Sequence, residues 1–245
     1  MKLAYFRMPV LFLTAFVFIG VSYAAETVPR FAAPPPFLTQ NTEGLTAQMP
    51  PIEKLGGGKY RLGEIFIDKT ERSISFPAQV NMDKGLLEYL LVQNKGKTHE
   101  SLLRTRIDPH YLQIAFMLLG YEGTDQRLSM QGAPETPKGE RINITVMAPV
   151  AGKTVFIGAD QWLSIKDGEK MKNTGSMNWV FCGSYVDYGR FMAQESGSII
   201  AIYHDPVALI DNASPGGESD KVWFVKEGSV PPVGTQVTVT ISPAK

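Results

Sequence analysis

The sequence predicts a β-rich α+β domain, with mostly antiparallel strands and one principal helix packed on the sheet. Three observations lead there. Apolar and polar residues alternate in short runs, such as Arg72-Ser73-Ile74-Ser75-Phe76 and Arg141-Ile142-Asn143-Ile144-Thr145-Val146, which is the period of a half-buried strand. A single segment, residues 108–119, combines a strong helix start, a broad apolar face and a stop. Clusters of Gly, Asn, Asp and Pro separate the runs at short intervals.

The chain opens as an export signal. Lys2 and Arg7 give a positive start, Met8 to Val21 is an apolar core, and Ser22-Tyr23-Ala24 offers small residues for cleavage after Ala24. That core is shorter than the roughly 20 residues a spanning helix needs. An uncleaved anchor is the alternative, and cleavage leaves no membrane span in the mature chain. The expected location is periplasmic or extracellular. Residues 25–56 follow as a semi-rigid spacer, because Pro29, Pro34, Pro35, Pro36, Pro50 and Pro51 lack backbone donors and hold their neighbours extended. Gly56-Gly57-Gly58 is its expected flexible joint, leading into a folded domain at 57–245.

Within that domain the first strand-like runs are Arg61 to Asp68 and Arg72 to Phe76, with Lys69-Thr70-Glu71 as a hairpin loop. Pro77 either breaks the second run or marks an edge, since it cannot donate to a ladder. Leu86 to Gln93 reads as a central strand. Asn94-Lys95-Gly96-Lys97 is the tight turn of a hairpin whose second strand begins at Thr98. Asp108 is a capping residue and Pro109 sits where a missing donor costs nothing. Leu112, Ile114, Ala115, Phe116, Leu118 and Leu119 then form the apolar face, and Gly120 ends the helix. Residues 121–139 read as loop. Strand-like runs follow at 141–146, 154–157, 161–165, 178–181, 198–203, 221–225 and 236–241. Asp205-Pro206 repeats the helix start, but Asp211-Asn212 and Pro215 stop it within two turns.

Composition narrows function by exclusion. The 24 basic and 24 acidic residues balance, and cleavage would remove two basic residues and no acid, leaving a net charge of −2. Such a chain offers no electrostatic footprint for nucleic acid. With 44% hydrophobic residues it can bury a sizeable core. Cys182, the only cysteine, can form no disulfide within the chain. Phosphate-cradling, dinucleotide-binding and nucleophile-elbow motifs do not occur.

Candidate site residues are Lys97, Thr98, His99, Glu100 and Ser101. His and Glu can ligate a metal or move a proton, and Ser can act as a nucleophile or a cap. The zincin spacing fails because Leu103 stands where its second His belongs. On a strand, His99 and Ser101 would share one face and Glu100 the other, so the three fit either a binding rim or a structural hydrogen-bond network. His99, His110 and His204 form a three-histidine site only if the fold brings them together. Asp211 to Asp220 misses the calcium-loop register at Ala213 and Pro215, and reads as a solvated loop. Cys182 reads as a small buried residue, and Trp162, Trp179 and Trp223 as core or rim positions rather than sugar platforms.

Three groups of residues carry a family resemblance. Gly96-Lys97-Thr98-His99-Glu100-Ser101-Leu102-Leu103, the Gly183-Ser184 pair after Trp179-Val180-Phe181, and Asp205-Pro206 with Trp223 resemble the YdjY-domain family of bacterial proteins. The likeness spans residues 60–243, and the Lys97 to Ser101 block is its most specific part. That family has no established biochemical activity, so the resemblance implies an accessory or binding role. Some members carry the domain beside ferredoxin-like iron–sulfur segments, but Cys182 alone cannot supply four thiolates. The cofactor is therefore unknown. The expected function is a non-catalytic envelope module that binds an envelope protein or a small ligand. The competing class is a metal-dependent or acid–base enzyme using His99 and Glu100. N-terminal sequencing of the exported chain should read Ala25-Glu26-Thr27; a chain still beginning at Met1 would mean an uncleaved anchor.

Overall fold

The computed structural model describes residues 49–150 and 152–244. The expected signal and residues 25–48 of the spacer lie outside them. The chain first forms β1 (Ile52–Gly56), β2 (Lys59–Leu62), β3 (Ile65–Asp68), β4 (Ser73–Val80), β5 (Tyr89–Gln93) and β6 (Ser101–Thr105), then the helix α1 (Pro109–Leu118). After a long loop come β7 (Glu140–Val150), β8 (Lys153–Gly158), β9 (Leu163–Asp167), β10 (Lys170–Asn173), β11 (Trp179–Phe181), β12 (Val186–Asp187) and β13 (Arg190–Phe191). The last part holds α2 (Met192–Ser196), β14 (Ser198–Ala201), β15 (Ile210–Asn212), β16 (Trp223–Val225) and β17 (Gln236–Pro243).

Eight strands close into a barrel in the order β4-β17-β7-β11-β15-β14-β5-β6, with β6 pairing back onto β4. Two neighbouring pairs, β14–β15 and β5–β6, are parallel, and the other six are antiparallel. This corrects the expected architecture of a sheet with a principal helix packed on it. The apolar side of the sheet is covered by the sheet itself, because a twisted sheet that closes leaves no free edge and fills its own interior. On β4, β17 and β7 the alternation is plain. Ile74, Phe76, Val80, Val239, Ile241 and Val146 are buried, while Ser75, Gln79, Thr238, Thr240, Asn143 and Thr145 between them are not. Polar residues thus face outward, the reverse of a lipid-facing barrel.

Strands β5, β11, β14 and β15 are buried on both faces. The loops around 121–139 and 202–222 pack there, and a small apolar cluster of Tyr89, Val92, Ala201 and Ala208 forms apart from the main core.

Pro77 explains how β4 serves three neighbours. One edge of β4 pairs with β17 throughout; the other pairs with β3 as far as Ser75 and with β6 from Gln79. Pro77 falls between the two, and its carbonyl accepts a hydrogen bond from Thr105 Oγ1 at 2.7 Å. Backbone N–H and C=O of one strand residue point to the same side. The missing donor therefore lies at the fork rather than in the β17 ladder, so the strand runs through the proline to Val80.

The helix is where the sequence predicts it, but it lies across one end of the barrel. Arg72, just before β4, holds it there. Its guanidinium donates to Leu119 O (3.2 Å) and Gly120 O (3.3 Å) at the helix end, and to both Glu140 carboxylate oxygens (2.8 and 3.2 Å) at the start of β7. A cation there answers the negative end of the helix dipole. Phe116 meets Phe181 of β11 with ring centroids 4.3 Å apart. Asp108 occupies the N-cap position without capping: its carboxylate accepts from Gln93 and Gln194, and Gln194 Oε1 receives the free amide of His110.

Four smaller expectations are corrected. Ile52–Gly56, read as the end of the spacer, is a strand, and Gly56, Gly57 and Gly58 make its tight hairpin turn with φ of 88°, 57° and 76°. The run Arg61 to Asp68 folds back on itself at Gly63. Asp205-Pro206 starts no helix, because Asp205 Oδ1 accepts from Val207 N and closes a local turn instead. Asp211 and Asn212, read as part of a solvated loop, are buried in β15. Replacing Phe116 by Ala should remove about 3–5 kcal/mol of folding stability, read by urea denaturation, because the ring fills the space between the helix and β11; a loss below about 1 kcal/mol would show that the helix is dispensable to the barrel.

Candidate functional site

Residues 94–100 join β5 to a strand parallel to it, so the expected hairpin does not form. Parallel neighbours ordinarily need a crossover of a dozen or more residues. Here the seven residues 94–100 make the return along the length of β5, about 13 Å. Gly96 suits this crowded turn, since a Cβ on it would press to 3.1 Å on the carbonyls of Gln93, Ser196 and Gly197.

The return ends in a single turn of 3₁₀ helix, Thr98–Glu100. Asn81 fixes it by donating to Thr98 O (2.6 Å) and Ser101 O (2.7 Å). The turn overrules strand alternation. His99 and Glu100, expected on opposite faces, meet with Nε2 and Oε2 3.5 Å apart. Ser101 goes the other way: it is fully buried, and its hydroxyl donates to Leu103 O at 2.7 Å. Thr98 contributes its carbonyl to the Asn81 clasp.

Lys97 is the hub of the resulting cluster. Its ammonium lies 3.4 Å from Glu100 Oε1 and 3.6 Å from Glu88 Oε2, donates to Gln131 Oε1 at 3.4 Å, and sits 5.2 Å from the centroid of the Tyr89 ring. Glu88 stands just before β5, where its amide donates to Glu100 O. Its carboxyl is held above the ordinary glutamate range, first by burial and then by the Glu100 charge, against which Lys97 works. The cluster is graded in exposure, from His99 at 78% of its side chain through Lys97 at 41% to Glu88 at 17%.

Behind this rim lies a buried network. Gln131 Nε2 donates to Glu88 Oε2 (3.3 Å) and to Tyr89 Oη (3.2 Å), and the Tyr89 hydroxyl donates to Asp205 Oδ2 at 2.8 Å. Burial, with the Asp205 charge, raises the Tyr89 phenol well above its usual value, so it remains a donor. Asp205 N donates in turn to Asp211 Oδ2 (2.9 Å), and Asn212 N to Asp211 Oδ1 (2.7 Å). Burial raises the Asp211 carboxyl well above the aspartate range, opposed only in part by those two amides. Asp205, Asp211, Cys182 and Ser184 line a cavity of about 10 Å³, the size of one water.

The three histidines do not converge. His99 is on the rim, His110 packs against Phe191 beside α2, and His204 is buried with its ring nitrogens facing Ala133 O (2.7 Å) and Asn212 O (3.0 Å). Among the described residues no three His, Cys, Asp or Glu side chains are grouped so as to hold a metal ion. The sequence reading did not place Glu88, Gln131, Tyr89 or Asp205 at the site, although Asp205-Pro206 is among the residues that carry the family resemblance. One signal was available, since Glu88 and Tyr89 interrupt an otherwise apolar run.

A closed barrel bearing a charged rim over a buried tyrosine–aspartate pair defines a small single-barrel domain. The YdjY domain profile matches residues 65–242, which contain every barrel strand up to the penultimate residue of β17, and the chain belongs to that family. No curated protein and no solved structure matches the chain.

Cys182, mostly but not wholly buried, donates weakly to Val180 O and lies beside Asp211; its burial, reinforced by that neighbour, drives the thiol far above the usual range. Thiol reagents should label it only after unfolding. Labelling of the native protein at the rate of a free thiol would contradict this placement.

Proposed function

We propose that the chain is an exported, non-catalytic binding module of the cell envelope, and that Lys97, His99, Glu100 and Glu88 meet its partner, an envelope protein or a small ligand. The observation that carries this reading is the sharing of one ammonium among two carboxylates and an amide. Lys97 leaves part of each acceptor's capacity unused, so an incoming cation, amide or hydroxyl can bind without stranding a buried charge. The Asn81 clasp and the Gln131–Tyr89–Asp205 chain hold these groups in place beforehand, which lowers the ordering cost of binding. Export rests on the N-terminal pattern, and the envelope setting follows from it.

One observation favours an acid–base enzyme instead. A Glu88 carboxyl held above its ordinary range and hydrogen-bonded through Gln131 to a tyrosine has the chemistry of a proton donor. Its readout differs, because Glu88→Gln would abolish turnover while leaving binding in place.

His99→Ala should leave the melting temperature within about 2 °C of wild type, since the side chain is exposed, and should weaken co-purification of the partner from envelope fractions about tenfold. Glu100→Ala, half-buried and shared by Lys97, should do the same at a larger cost in stability. Capture unchanged in both variants, with lowered melting temperature, would make the turn purely structural.

A further inference from the structure

Strand β8 lies outside the ring. It pairs with β7 along one side only, and on the other side no backbone group of Lys153 to Gly158 has a partner among the described residues. Phe156 projects from this strand with 74% of its surface exposed. It stands on the outer face of the sheet, where β7 and β17 carry Asn143, Thr145, Thr238 and Thr240. On the opposite face Val155 and Ile157, half-buried, continue the apolar layer of Ala148 and Val146 beside them. An open edge with apolar side chains pairs with another strand unless a charge, a proline or a covering segment blocks it.

The outer strands β1 and β10 also have open edges, but charges guard them. A strand that pairs antiparallel with its own copy about a two-fold axis sets one residue opposite itself. Residues equally spaced on either side of that one then oppose each other. An axis at the middle of β1 sets Lys54 against Lys54, and an axis one residue earlier sets Glu53 against Glu53. On β10 an axis at Met171 opposes Lys170 to Lys172. Like charges directly opposite are destabilising. β8 differs from both. An axis at Phe156 sets that ring opposite its copy, Val155 opposite Ile157 and Thr154 opposite Gly158, with no charge inside the pairing.

We propose that the protein forms a two-fold dimer by antiparallel pairing of β8 with β8 of a second copy. The charges at the two ends of this pairing are complementary. The Asp160 carboxylate, which has no side-chain partner among the described residues, lies against Gly158 on the Phe156 face, where a Cβ would come within 2.5 Å of Oδ1. The register brings Thr154 of the second copy opposite that glycine, with Lys153 next to it. Each Asp160 thereby gains a hydroxyl donor and an ammonium, twice by symmetry. The pairing also satisfies the open backbone groups of the edge and covers Phe156. An edge of six residues is short, so the dimer is a weak one rather than an obligate one.

Sedimentation of the mature chain from about 1 to about 500 µM should show a monomer–dimer equilibrium with a Kd below about 100 µM. Phe156→Lys sets two ammonium groups against each other at the axis and should weaken the dimer about tenfold. Its melting temperature should stay within about 2 °C of wild type, because the side chain is exposed. Register is read separately. Phe156→Cys should cross-link to its own copy under mild oxidation, since residues directly opposite lie about 4.5–5.5 Å apart. Thr154→Cys, opposite Gly158, should not. The inference fails if the mature chain stays monomeric over that range, which would leave the edge to another occupant. It fails equally if Phe156→Lys dimerises as wild type does, or if Thr154→Cys cross-links as readily as Phe156→Cys.

Discussion

Everything in this molecule depends on the seam between β4 and β6. It is a short contact, two register pairs, Gln79 with Arg104 and Val80 with Leu103. Side chains extend it. Arg104 donates twice to Gln79 Oε1 (2.9 and 2.7 Å), Thr105 Oγ1 reaches Pro77 O, and Asn81 grips the carbonyls of Thr98 and Ser101. Without the seam the barrel is an open sheet with apolar residues on an exposed face and a free edge. The same residues also set the rim, because Asn81 belongs to the seam and holds the turn that carries His99 and Glu100. Closure and the candidate site are one construction.

The second constraint is electrostatic. Tyr89, Asp205 and Asp211 are buried polar groups between the barrel wall and the loops that cover it, and each carboxyl oxygen has a donor. A fully satisfied network of this kind specifies one arrangement of the loops, since any other would leave a charge or a donor unpaired in a medium of low polarity. Gly217 belongs to the same economy of space, because a Cβ there would lie 2.2 Å from His204 Nε2. Gln131 connects this interior to Glu88, so the position of the rim is fixed from below as well as from Asn81.

Much of the local structure was legible in the sequence and the long-range structure was not. The alternation on β4, β7 and β17 and the Pro109 start of α1 are local signals, and the elements stand where those signals put them, although Asp108 does not cap the helix. Closure depends on Val80 meeting Leu103 and on β17 entering between β4 and β7, which no local pattern encodes. Buried runs such as Tyr89 to Gln93 look alike whatever their neighbours, so the parallel pairing of β5 with β6 was invisible. The Lys97 to Ser101 block drew notice correctly, but Thr98–Glu100 looked like strand because Leu102 and Leu103 follow directly. Asp205-Pro206 shows the same limit from the other side: its side chain satisfies Val207 N, and an identical dipeptide that opens a helix at 108 closes a turn at 205.

The place of β17 in the ring governs when the fold can form. It is the last strand of the chain, yet it lies between β4 and β7, with Ser75 and Thr240 hydroxyls bonded across 165 residues. The ring cannot close until β17 is available, so closure depends on contacts of long sequence separation. Early strands must wait with one edge of β4 and one edge of β7 open. The ring is completed only when β17 arrives between them.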